Sequence, residues 1–339
     1  MAMFLISNTV SSAFPLSTVT ADAFFSSGPT KNNTISTKSN SSSFMASFSS
    51  KRRGVKSNST SLEMEFPYLS QTHQELMSDL VSTLESDLGP RLNESADGMV
   101  YQNESGSSSC GLKLVNGGPE SPVDSLVISW INSKLPIGTL NITTVLAYLD
   151  SKTTKAPHFM MEFIQNSPTN MVFITDFIPR EDLVLHSDDY LHRYYEQGKL
   201  EEIRQSLVSV PSVDPYVVSS LFIRSVMSPS SIVVTVNCKD ESEMDLMFRD
   251  HVGVVAKKLV EHWLESCAND VNYKPKPNSA EEEEPEVDSE VMIRTKRDNV
   301  IKKNFMKNDL SVFLPSLFEK EVADEIFASI IKSLKIESL

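Results

Sequence analysis

Three cysteines in 339 residues are too few for a disulfide framework, and Cys110, Cys238 and Cys267 lie far apart with no CxxC or Cys/His ligand spacing. They read as reduced thiols in or near the core, and no bound metal or iron–sulfur centre is expected. The six histidines form no HExxH, no serine sits in GxSxG, and neither GxGxxG nor a Walker A loop is present. An oxidoreductase built from this chain would carry no recognisable nucleotide-cofactor signature of its own. No apolar run reaches the roughly 18 residues that a membrane-spanning helix needs. Positive charge is also scarce: 31 Lys and Arg against 45 Asp and Glu leave a formal charge of −14, which repels nucleic-acid phosphates.

What is present divides at about residue 62. Residues 1–62 hold 17 Ser and 7 Thr with six basic residues and one acid, Asp22. This acid-poor, hydroxyl-rich composition is that of an organelle transit peptide, expected to be disordered. Without it the formal charge is about −19. Residues 63–339 read as one domain. "SQTHQELMSDLVSTLESDL" (70–88) is a helix capped by Ser70, with Leu76, Leu80 and Leu84 on one face, and residues 91–111 read as a polar loop. Four strand-like runs follow at 126–132, 140–150, 158–165 and 171–177, with turn-rich linkers that predict an antiparallel meander. Residues 188–207 read as a helix, 230–238 as a strand and 242–267 as a strongly amphipathic helix. Residues 270–290, "DVNYKPKPNSAEEEEPEVDSE", read as a mobile acidic loop, and the remaining C-terminal residues as helical. Strands between helical regions predict an α+β fold, an α/β/α sandwich with a central antiparallel sheet flanked by helices.

One strand carries a chemical anomaly. In "KAPHFMMEFIQ" (155–165), period-two alternation puts Phe159, Met161 and Phe163 on one face and Met160, Glu162 and Ile164 on the other. Both faces are apolar, yet one holds a carboxylate. Burial disfavours the charged form of a carboxyl, so such a group can stay protonated near neutral pH and act as a general acid. The bland alternative is a structural Glu162 satisfied by a buried arginine or by backbone donors.

Several separated segments resemble one family. "MEFPYLS" (64–70), "DSLVISWINSKLPIGTLNITTVLAYLDSKTTKAPHFMMEFIQ" (124–165), "DLVLHSDDYLHRYYEQ" (182–197), "VDPYVVSSLFIRSVMSP" (213–229) and "KRDNVIKK" (296–303) are similar, in the same order, to the red chlorophyll catabolite reductases of plants. The resemblance covers residues 63–339. It implies kinship with the ferredoxin-dependent bilin reductases, whose pocket lies between the sheet and the C-terminal helices. The implied activity is reduction of the C20/C1 double bond of red chlorophyll catabolite to primary fluorescent chlorophyll catabolite, in the chloroplast stroma during the chlorophyll breakdown of senescence. Electrons would come from reduced ferredoxin, with no bound cofactor. A non-catalytic tetrapyrrole-binding protein that sequesters phototoxic catabolites is the alternative.

The resemblance assigns Glu162 and Asp298 as catalytic and substrate-contacting groups that protonate the pigment, Glu162 as the main donor and Asp298 as a second donor or orienting group. Asp298 stands among Arg294, Lys296, Arg297, Lys302, Lys303 and Lys307. Its bland reading is a surface pair with Lys302 at i+4, and a donor role requires it to turn inward. The basic run can steer an acidic ferredoxin, or simply compensate the acidic stretch beside it. Tyr216, Val217 and Val218 match a pocket-lining segment, with a turn residue packed on the core as the alternative for Tyr216. Met227 stands where relatives carry phenylalanine or valine, a position linked to C1 stereochemistry, so the epimer formed here does not follow. Contact with pheophorbide a oxygenase and a homodimer are further implications.

Overall fold

The computed structural model describes residues 62–93, 98–119, 121–136, 138–270 and 285–336. The segment read as a transit peptide, up to residue 61, and most of the acidic stretch after residue 270 lie outside the described residues. Eight strands form one antiparallel sheet: β1 (Met99–Gln102), β2 (Ser108–Asn116), β3 (Val123–Leu135), β4 (Gly138–Leu149), β5 (His158–Ser167), β6 (Asn170–Ile178), β7 (Val213–Pro215) and β8 (Ile232–Asn237). β1 to β6 run as a meander, β8 joins the open edge of β6, and β7 closes the sheet outside β8.

The central strands are buried along nearly their whole length because helices cover both faces. A strand covered on one side only would alternate buried with exposed residues. One face carries Phe159, Met161 and Phe163 and packs against α1 (Gln71–Leu88), the π-helical α2 (Ser187–Glu196), α5 (Glu241–Leu246) and α6 (Val252–Trp263). The other face carries Met160 and Ile164. It packs against α4 (Leu221–Val226), α7 (Pro285–Phe305), α8 (Ser311–Leu317) and α9 (Lys320–Ser333). This is the α/β/α sandwich expected from the order of elements.

The differences from the sequence reading are local. β1 and the start of β2 occupy part of the stretch read as a loop. Serine-rich composition hid them, because Ser108 Oγ lies 2.8 Å from Ser133 Oγ inside the sheet and Gly106, at φ 67°, supplies the hairpin turn. The helix expected over 188–207 is two, α2 and α3 (Leu200–Val208). They part where Lys199 adopts a left-handed φ of 52° and where a Cβ on Gly198 would meet the His262 ring at 1.8 Å. α7 begins at Pro285, so the C-terminal end of the stretch read as an acidic loop is helical. None of the described helices is long and apolar enough to cross a membrane.

Ser70 caps α1 as expected, its hydroxyl accepting from the His73 N–H. His73 is sealed beneath that helix, stacked on Phe248 with ring centroids 4.2 Å apart, and its Nε2 lies 3.3 Å from Thr143 Oγ1. Burial pushes its pKa down to about 3. The unfolded chain takes up this proton below about pH 6.5 and the folded one does not, so stability falls on acidification. The expected slope from this residue is up to about 1.4 kcal/mol per pH unit between pH 6.5 and about 3. Urea midpoints of a His73→Gln variant should depend less steeply on pH across that window. An unaltered slope refutes the assignment.

Candidate active site

Glu162 lies in the middle of the face that the C-terminal helices cover. It is 1% exposed, and its Oε1 accepts a hydrogen bond from Thr144 Oγ1 at 2.9 Å. That bond follows from register, because Thr144 of β4 and Ile174 of β6 are its cross-strand neighbours. The carboxyl therefore stands among Met160, Ile164 and Ile174, the apolar surroundings foreseen from alternation.

Asp298 projects from α7 into the same layer and is 6% exposed. Arg180 grips it with two bonds, Nη2 to Oδ2 at 2.5 Å and Nε to Oδ1 at 3.1 Å, while Arg180 Nη1 donates to the carbonyls of Thr154 and Ala156. His158 Nε2 lies 3.0 Å from Asp298 Oδ1. Its tautomer follows from the other nitrogen: Nδ1 accepts from the Leu149 N–H at 3.0 Å, so the ring proton is on Nε2 and donates to Asp298. Burial pushes His158 down to about 4, which keeps it neutral at physiological pH. Burial alone would raise the Asp298 carboxyl, but His158 and Arg180 more than offset it and hold it well below the usual carboxylate range. Asp298 is an ionised aspartate in a built cluster.

The surface pair with Lys302 does not form. Lys302 Nζ instead reaches Asp124 at 2.5 Å and lies over the Tyr148 ring. The basic run is also divided by the fold. Arg294 is buried and donates to Glu181 and to the Ser151 carbonyl, and Arg297 donates to the Pro179 carbonyl. Lys296 and Lys307 are exposed and Lys303 is half-buried, so three cations of the six face outward.

Tyr216, Val217, Val218 and Met227 line one cavity of about 440 Å³ at the β7–β8 edge of the sheet. Pro215 ends β7, and the chain then turns so that the Tyr216 N–H donates to the Val233 carbonyl at 2.9 Å. Val233 also lines the cavity, and it shares a cross-sheet row with Ile174 and Glu162. Glu162 is thus two strands, roughly 10 Å, from the cavity wall. Along β5, His158 is four residues from Glu162 on the same face, roughly 13 Å. The structure therefore gathers the four cavity residues, sets Glu162 two strands away in the same cross-sheet row as Val233 of the cavity wall, and places Asp298 in a neighbouring cluster.

Sequence reasoning missed His158, Arg180 and Asp176 in this layer. Asp176 is directly opposite Met160 across β5 and β6, in the apolar alternation of "MVFITDF". The anomaly that flagged Glu162 was present there too. Arg180 and His158 gave no such signal, because only the fold reveals that they meet α7. The three cysteines are free, two of them buried, and among the described residues no cluster could hold a metal ion.

Comparison with known proteins is consistent across three levels. The family model described as red chlorophyll catabolite reductase (RCC reductase) matches residues 72–332. Chloroplastic red chlorophyll catabolite reductase of Arabidopsis thaliana is 38% identical over 273 residues, 79% of this chain and 82% of that protein. Chloroplastic red chlorophyll catabolite reductase 1 of Oryza sativa subsp. japonica is 35% identical over 272 residues, 78% of each. The crystal structure of phytochromobilin synthase from tomato in complex with biliverdin superposes with a TM-score of 0.54 at 12% identity, covering 75% of this chain and 82% of that one, a likeness of fold. The chain belongs to the red chlorophyll catabolite reductase family.

Proposed function

We propose that this chain is a chloroplast reductase that reduces the C20/C1 double bond of red chlorophyll catabolite, giving primary fluorescent chlorophyll catabolite. The observation that carries the reading is a buried carboxyl, Glu162, on an apolar sheet face beside a cavity lined by Tyr216, Val217, Val218 and Met227. Saturating one carbon–carbon double bond takes two electrons and two protons. Reduced ferredoxin supplies the electrons one at a time, so two ferredoxins are consumed per pigment. Glu162 gives a proton to the reduced pigment, because a desolvated carboxyl resists ionisation and is poised as a general acid. Asp298 takes an orienting role: its carboxylate fixes His158 and Arg180 at the floor of the same layer. Lys296, Lys303 and Lys307 form the outward positive patch for the acidic electron donor. Pheophorbide a oxygenase as a neighbour and a homodimer belong to the same proposal.

A tetrapyrrole carrier is the second reading, and it uses the same cavity. The test is anaerobic: the purified chain is incubated with red chlorophyll catabolite and a ferredoxin-reducing system, and blue fluorescence is followed. Product formed only with both protein and reduced ferredoxin supports the reductase, and its rate should fall with ionic strength as surface charges are screened. Pigment that binds without becoming fluorescent supports the carrier.

A further inference from the structure

The cavity has a polar wall that the proposed chemistry does not yet use. Ser228 lines it one residue beyond Met227, and its side chain is buried. Behind it lies Asp176, whose Oδ2 accepts from the Ser228 N–H at 2.9 Å and whose Oδ1 accepts from the Ser228 hydroxyl at 2.5 Å. The Ser228 hydroxyl is also 3.1 Å from that of Ser230, which is half-buried. An unbroken hydrogen-bonded chain therefore runs from the surface, through Ser230 and Ser228, to a carboxyl that is 3% exposed. On its outward side it passes the wall of the cavity.

We infer that Asp176, Ser228 and Ser230 form a proton relay that delivers one of the two reduction protons into the cavity and is refilled from solvent. The inference rests on the reductase reading of that cavity. When Asp176 takes up a proton on Oδ1, the Ser228 hydroxyl turns its own proton toward the cavity and its oxygen accepts from Oδ1–H; in the delivering step that Oδ1–H bond breaks and an O–H bond to Ser228 forms. The former hydroxyl proton of Ser228 passes to the reduced pigment, leaving Asp176 as a carboxylate. Ser228 then returns a proton to Asp176 and takes another from Ser230 and solvent. Asp176 acts through Ser228 and is a positioning and relay residue.

The position of Asp176 on the sheet supports this role. In the β5–β6 register it is the diagonal neighbour of both Glu162 and His158, about 7 to 8 Å from each. It and Glu162 are two separate sources for the two protons. Burial pushes its carboxyl up to about 6, against the pull of the Ser228 bonds and the Phe177 amide. The other titratable or charged groups around it are Arg180 at the end of β6, Asp298 on α7, and Tyr195 on α2 across the sheet, whose hydroxyl donates to the Phe177 carbonyl. Asp298 and Arg180 neutralise each other and His158 is neutral, while Asp176 changes charge near pH 6.

The experiment compares the full chain with its Asp176→Asn and Ser228→Ala variants in single-turnover pigment reduction from pH 5 to 8. Proton uptake on unfolding between pH 4.5 and 5.5 is measured alongside. The parent should lose rate as pH rises above about 6. Asp176→Asn should fall on the order of 10²-fold with pigment affinity retained and the part of the pH dependence centred near 6 lost. Ser228→Ala keeps the carboxyl and the backbone bond, and should show a comparable rate loss. Asparagine removes a proton held by the folded state, so the variant should take up close to one more proton than the parent on unfolding near pH 5. An active parent whose Asp176→Asn variant keeps both its rate and its pH profile overturns the relay alone. A parent that binds pigment and never reduces it overturns the reductase reading and the relay together.

Discussion

Replacing Glu162 by glutamine should lower pigment turnover by roughly 10² to 10⁴-fold, the usual worth of a positioned general acid. The substitution is close to isosteric, and the glutamine carbonyl can still accept from Thr144 Oγ1, so the sheet and the cavity should persist. What disappears is the dissociable proton. Turnover is read by product fluorescence and affinity by titration of the pigment's absorbance. Unchanged affinity with lost turnover identifies a group used only as charge develops in the transition state. A glutamine variant with parental turnover would remove Glu162 from the chemistry.

Asp298→Ala should cost stability more than any surface change, about 3 to 5 kcal/mol, because it leaves a buried guanidinium without its carboxylate. Arg180 is 1% exposed, and both Asp298 oxygens serve it. Removing the orphan as well, in Asp298→Ala/Arg180→Leu, should restore a large part of the loss, a coupling that a double-mutant cycle measures through urea midpoints. The sign of the pH dependence is equally definite. The Asp298 carboxyl is depressed in the fold, so its stabilisation is present above about pH 4, the unfolded value, and is lost as pH falls further. Asp298→Asn keeps the shape but not the charge, and should lie between parent and alanine variant. An alanine variant as stable as the parent would show that Arg180 does not depend on this carboxylate.

These two results separate two acidic residues that the sequence places side by side as catalytic candidates. Glu162 was legible because a strand has period two: a carboxylate at an apolar position of "HFMMEFIQ" is conspicuous without any structure. Asp298 was legible by resemblance, but its environment was not. Its six basic neighbours in sequence suggested an exposed cationic patch, whereas α7 turns Arg294 and Lys302 inward to Glu181 and Asp124. A helix distributes consecutive residues around its axis, and the sequence does not say which stripe meets the sheet when the hydrophobic signal is weak.

By itself the sequence determined the last four strands of the meander, the amphipathic helical stretch over 242–267, the two faces of β5 and the anomaly of Glu162. All of these rest on interactions between near neighbours or on simple periodicity. It also determined the absence of cofactor-binding motifs. Only the tertiary structure decided that β7 closes the edge of β8 and that Arg180 and His158 converge on Asp298 across more than a hundred residues of chain. It alone placed Ser228 between Asp176 and the cavity. Contacts of that kind depend on which faces of the sheet and helices meet, and no local pattern encodes them.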